Sequence, residues 1–182
     1  MLKIKKLLWD SLVSNDYVYT QGFIESHIEQ QELNSEYILT RNLYDSKTLV
    51  IAGFPGVGKS HTFNNVDLNI LDSDSSKFDK KDFPENYIAH IKENLGVCDI
   101  IFVSTHKEVR EALKENNIPF VLVYPEKELL SEYKHRYFKR GNRPEFIDFI
   151  ESNWDTFIND IICETKCFHL QLKTNQYISD FL

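Results

Sequence analysis

Thr48-Leu49-Val50-Ile51-Ala52-Gly53-Phe54-Pro55-Gly56-Val57-Gly58-Lys59-Ser60 is the stretch on which the reading of this chain turns. Its first five residues are an apolar, partly β-branched run, the pattern of a short strand buried on both faces. The next eight fit G-x-x-x-x-G-K-[ST] at every fixed position. A chance match in a chain of this length is expected at well under about one in a hundred. Glycines let such a turn aim backbone N–H groups at phosphate oxygens, and the following helix adds the positive end of its dipole. In that arrangement the amides of Gly53, Pro55–Ser60 and His61 (proline excepted) would line a phosphate site. Lys59 would reach the β and γ phosphates, and the Ser60 hydroxyl would ligate Mg²⁺. The expected ligand is ATP with Mg²⁺.

Downstream, strand and helix patterns alternate. Strands are expected at 68–71, 99–103, 119–124 and 167–172. Helices are expected at 58–63, 84–95, 107–115, 126–139, 144–163 and 175–182. This predicts an α/β fold, a five-stranded mainly parallel sheet covered on both faces. Ligands of such sheets bind at the carboxyl ends of the strands. That end gathers Gly53–Ser60, Asp72–Ser76, Ser104–His106 and Lys173–Asn175.

Upstream, residues 1–46 read as a polar helical extension on a main domain of 47–182. Leu2, Ile4, Leu7, Leu8 and Leu12 recur at helical spacing, and Phe23, Ile24 and Ile28 suggest a second short helix. The expected role is extra core cover, with a protein partner as the alternative. Lysines interrupt the apolar residues of 1–8, so no signal peptide is expected there, and no apolar run has the roughly 20 residues of a membrane span. The net charge of −7 speaks against nonspecific binding of duplex nucleic acid. Cys98, Cys163 and Cys167 are read as reduced thiols of a cytoplasmic protein, because their spacing fits no common zinc pair.

Three further segments carry chemistry. Asp72 and Asp74, at the end of the second strand, would orient or deprotonate an acceptor hydroxyl, Asp74 first; helix capping is the plain alternative. The third strand ends in Ser104-Thr105 where a motor or switch NTPase would have a carboxylate, and Asp99 lies at its opposite end. Ser104 is placed near the metal-bound water, Arg110 on the acceptor side, and His106 as a cap or surface residue. Lastly, residues 134–143 hold five formal positive charges in an acidic chain. Arg136 and Arg140 are four apart, and Arg143 follows a Gly141-Asn142 break. These three are expected to form a mobile lid over the phosphates.

The order of these segments resembles the P-loop kinases of small molecules and nucleotides: gluconate kinase, adenylylsulfate kinase, shikimate kinase, nucleoside monophosphate kinases and phage polynucleotide kinase. Leu71-Asp72-Ser73-Asp74 is similar to the Leu-Asp-Gly-Asp strand end of the first two. Val103-Ser104-Thr105 with Arg110 is similar to gluconate kinase, and Arg136, Arg140, Arg143 and Pro144 to the lids. Ser73 replaces a glycine, and the adenylate-kinase signature Asp-Gly-x-Pro-Arg is absent. The resemblance also extends to kinase-like ATP-binding proteins of bacteria and their phages. It implies γ-phosphoryl transfer from ATP to a small acceptor, a nucleoside or nucleotide as first guess. The alternatives are a nucleotide-binding regulatory module and an NTP hydrolase; acceptor-dependent ADP release separates them.

Overall fold

The computed structural model describes residues 2–20 and 27–182, with the backbone alone at 15–20 and 27–34. Its centre is a five-stranded, all-parallel sheet in the order β2-β3-β1-β4-β5. The strands are β1 (Leu49–Gly53), β2 (Ile70–Asp72), β3 (Ile100–Val103), β4 (Phe120–Pro125) and β5 (Phe168–Leu172). Every residue of β1, β3 and β4 is buried. Both faces of the sheet are therefore covered, as uninterrupted apolar runs require. The helices doing this are α1 (Lys3–Thr20), α2 (His27–Asp45), α3 (Lys59–Asn65), α4 (Glu85–Asn94), α5 (Lys107–Glu115), α6 (Leu130–Lys139) and α7 (Pro144–Ile162).

The path of the chain positions the site. From central β1 it moves to the far edge for β2 and returns to β3 beside β1. It then crosses to β4 on the other flank. Consecutive connections thus leave β1 in opposite directions, and the carboxyl end of β1 opens at that switch point. The expected alternation of elements matches, with small shifts at the ends. The closing helix expected at 175–182 is a 3₁₀ turn, Ile178–Phe181.

The N-terminal region is helical, as expected, but α2 runs for 19 residues rather than as a short helix around 23–28. Phe23 and Ile24, and the side chain of Ile28, lie outside the described residues. Ile4, Leu8, Leu12 and Leu43 are buried, and all but Leu12 belong to the same continuous core as the sheet. Lys5 caps the C-terminal end of α2, donating to Leu43 O at 2.8 Å, Tyr44 O at 2.5 Å and Ser46 O at 2.8 Å. A cation there satisfies carbonyls that have no intrahelical donor. Among the described residues no helix is long and apolar enough to cross a membrane. Cys98 and Cys167 are buried and Cys163 is exposed, all as free thiols.

Because Leu8 is fully buried, Leu8→Ala should lower stability by about 2–5 kcal/mol. Urea unfolding of the full chain measures this. A loss below about 0.5 kcal/mol would mean that α1 is not part of the folded core.

Candidate functional site

The glycine-rich turn between β1 and α3 has all six carbonyls from Gly53 to Gly58 bound. Lys59 Nζ donates to Gly53 O and, at 3.4 Å, to Phe54 O. Tyr137 Oη donates to Pro55 O at 2.9 Å, and Arg136 Nη1 to Gly56 O at 3.1 Å. Ile178 N donates to Val57 O at 2.9 Å. Gly58 O accepts from Thr62, through its amide and its hydroxyl, both at 2.9 Å. In a trans peptide the C=O and the next N–H point in opposite directions. Holding the carbonyls of Pro55, Val57 and Gly58 therefore turns the amides of Gly56, Gly58 and Lys59 the other way. Those three amides, with Ser60 N and His61 N, meet no acceptor among the described residues. The Ser60 and His61 side chains are exposed.

Two glycines make this path possible. Gly56 and Gly58 have φ of +85° and +101°, in the left-handed region that side chains disfavour. A Cβ on Gly56 would also lie 2.9 Å from the Tyr137 ring, and one on Gly58 3.2 Å from the Tyr177 ring. The loop is packed against aromatic rings, so a methyl group at 56 would overlap one ring and a methyl group at 58 would press on another. Behind it Phe54, Tyr133 and Trp154 pack edge-on or tilted, with centroids 5.5–6.4 Å apart.

Arg136 is the centre of the brace rather than part of a lid. Its guanidinium lies between the rings of Tyr177 and Tyr133, 3.9 and 4.5 Å from their centroids. Besides Gly56 O it donates to Gln176 O at 2.9 Å and to Glu132. Glu132 in turn accepts from Asn175 N at 3.1 Å. The expectation of a mobile Arg136 is corrected: the side chain is 8% exposed and fully engaged. Helical phase put Arg136 and Arg140 on the same side of α6 in sequence, but position 136 faces the loop while 140 is the exposed C-cap of the helix. Arg140 and Arg143 are exposed. In the exposed 173–175 loop, the bond from Asn175 N ties the backbone to Glu132.

Arg110 is also corrected. It is not on an open acceptor side. It is 3% exposed, with Nε on Glu164 at 2.7 Å, Nη1 on Thr105 O at 2.5 Å and Nη2 on Asp160. Asp160 on α7 and Glu164 just after it bring two carboxylates to its head. Ser104 is half-buried, and its hydroxyl accepts from His106 N at 3.2 Å. His106 is the exposed residue preceding α5 and makes no side-chain cap. Asp99, at the far end of the sheet, accepts from Asn69 N at 2.9 Å.

Across the turn stand the two aspartates. Asp74 is exposed and caps the 3₁₀ turn Ser75–Lys77, accepting from Ser76 N at 3.0 Å. That bond holds its carboxyl below the usual range. Asp72 is half-buried, and no hydrogen bond to its carboxylate is present among the described residues. Below both, Tyr87 Oη donates to Ser73 O at 2.7 Å, and burial pushes its phenol up to about 12. Desolvation lowers Lys59 to about 8; Arg140 adds to this, while Asp72 and, less strongly, Asp74 oppose it. Lys59, Asp72, Asp74 and Arg140 thus share one electrostatic neighbourhood.

Sequence reasoning missed Tyr87, Tyr133, Tyr137 and Tyr177. The pairs Glu132/Arg136 and Tyr133/Tyr137 are signals available at i, i+4 spacing; Tyr87 and Tyr177 offer none. No protein-family model matches the chain, and no curated protein is significantly similar to it.

Arg136→Ala removes the brace and leaves Glu132 without its cation. It should cost about 2 kcal/mol or more, roughly 4–8 °C in Tm at this size. Arg140→Ala should change Tm by less than about 2 °C, since an exposed helix end contributes little. Thermal scans of both variants test this, and equal shifts would contradict the assignment of Arg136 to the brace.

Proposed function

We propose that the chain is an ATP-dependent kinase that transfers the γ-phosphoryl group to a hydroxyl of a small acceptor. One observation carries the reading. All six loop carbonyls are held by the protein, five amides of the loop meet no acceptor among the described residues, and the Lys59 ammonium, which holds two of those carbonyls, has a third N–H for an anion. Such a set of donors fits the β and γ phosphates of a nucleotide. The residues also fit Mg²⁺, for which the exposed Ser60 hydroxyl would be the protein ligand. The metal would neutralise charge on the phosphate oxygens.

In the reaction the acceptor oxygen bonds to the γ-phosphorus. The bond from that phosphorus to the β,γ-bridging oxygen breaks, and ADP departs with its electron pair. The acceptor proton passes to a carboxylate. Asp72 is the better placed of the two for this: Asp74 spends one oxygen on Ser76, and Asp72 acts more strongly on Lys59. This reverses the order expected from sequence. Lys59 follows the shifting negative charge, and Arg140 and Arg143, being exposed, are free to turn toward it. The absence of an acidic end on β3 favours a kinase over a motor-type hydrolase, which uses a carboxylate there.

Lys59→Ala should abolish ATP binding or turnover with the fold intact by circular dichroism. Asp72→Asn should lower kcat by about 10²–10⁴-fold with ATP affinity little changed, and Asp74→Asn less, because asparagine still caps. Full activity of Lys59→Ala would end the assignment of this loop.

Lys59 also predicts a pH effect. Its folded value, about 8, lies below the ordinary lysine value of 10.5. Between these values the unfolded chain binds more protons, so this group adds stability as pH rises through that window. A triphosphate beside the ammonium raises its affinity for protons again. At pH 8.5, ATP binding should therefore take up roughly half a proton or more. Calorimetry in buffers of different ionisation heat reads the uptake, and Lys59→Met should lack it.

A further inference from the structure

The kinase reading leaves the acceptor open, and the placement of the arginines narrows it. The α6 and C-terminal side of the glycine-rich loop is filled by Tyr133, Arg136, Tyr137 and Tyr177. An acceptor must therefore come from the opposite flank, where β2 and β3 end. Five arginines exist in the chain. Arg41 pairs with Asp45 on α2, Arg110 is buried against Glu164 and Asp160, and Arg136 is locked into the brace. Arg140, the exposed C-cap of α6, acts on Lys59, and Arg143 is the exposed residue before α7. The segments that follow β2 and β3 contain no arginine but the buried Arg110.

What stands there instead is acidic and hydroxylic. Residues 72–85 hold five carboxylates against three lysines. Asp72 and Asp74 flank Ser73, which is 6% exposed and whose Oγ has no hydrogen-bond partner among the described residues. Lys77, Lys80 and Lys81 are exposed, and Lys77 acts on Asp74. A phosphate-bearing acceptor would need a cation fork close to its anion. Here it would meet two carboxylates, and like charges brought together oppose binding. A buried hydroxyl without a partner is itself costly, and is relieved by another hydroxyl.

Resting on the kinase reading, we infer that the acceptor is a neutral hydroxyl-bearing compound, a nucleoside or free sugar, and not a monophosphate of either. The hydroxyl oxygen attacks the γ-phosphorus, its proton moves to Asp72, and ADP leaves, so no further reactant is involved. The acidic flank then selects by repulsion as well as by attraction.

The test measures ADP release by the full wild-type chain with ATP and Mg²⁺ on matched pairs. Each pair is a nucleoside with its 5′-monophosphate or a free sugar with its phosphate, and ATP alone is the blank. At least one neutral member should exceed its phosphorylated partner by about 100-fold or more in kcat/KM. Product mass identifies which source, nucleoside or sugar, is used. Release confined to the phosphorylated members, or equal within a pair, overturns the inference and leaves the kinase reading standing. No acceptor-dependent release from any pair, while ATP still binds in a Lys59-dependent way, overturns both.

Discussion

The arrangement depends on one constraint: the glycine-rich turn must keep its carbonyls bound so that its amides point elsewhere. A flexible turn with two glycines in left-handed conformations would otherwise sample many states. Here Tyr137, Arg136 and the Ile178 amide take three successive carbonyls from outside the turn. These donors come from α6 and from the segment after β5, elements distant in sequence. Parallel sheet topology is what makes them neighbours, because β4 pairs with β1 and β5 with β4, and both release their segments at the same end. The turn is thus imposed by tertiary packing rather than by its local sequence alone.

This constraint divides the arginines by environment. Arg136 and Arg110 are 8% and 3% exposed, and each makes several donations in fixed geometry. The planar fork of arginine, charged at all relevant pH, suits such buried bracing. Removing either would strand carboxylates, so these side chains serve structure. Arg140 and Arg143 lie where the chain bends between α6 and α7, exposed to solvent. A residue already held by several partners has little freedom to follow charge during a reaction, whereas an exposed one has much.

Fold class was legible because burial on both faces forces uninterrupted apolar strands, and Thr48–Gly53 shows this directly. The glycine-rich turn was legible because its backbone demands glycine at 56 and 58, conformations that few other residues tolerate. The arginines were not. Helical phase groups Arg136 with Arg140, but whether a face meets solvent or a neighbouring loop is decided by long-range packing. Arg110 looked available for the same reason: its partners Asp160 and Glu164 lie some fifty residues on. Tyr177 escaped notice because its contact with Gly58 joins the start of the sheet to the end of the chain.

The same connectivity gives the N-terminal helices a stake in the site. Helix α1 contacts the Ile178–Phe181 turn, whose first amide holds Val57 O. Ile178 itself is fully buried in the continuous core that also contains Ile4 and Leu8. The turn Ile178–Phe181 is too short to fix its own position through helical hydrogen bonding. Its placement must come from what packs around it. On the proposed function, α1 therefore acts on nucleotide binding without touching the nucleotide. It packs on the C-terminal segment, the segment holds a carbonyl of the glycine-rich turn, and that carbonyl sets the direction of the Gly58 amide. A charge balance of −7 gives this orientation weight. In an acidic chain the overall field opposes a polyanion, so attraction must come from donors fixed at short range, where screening and the net charge matter least.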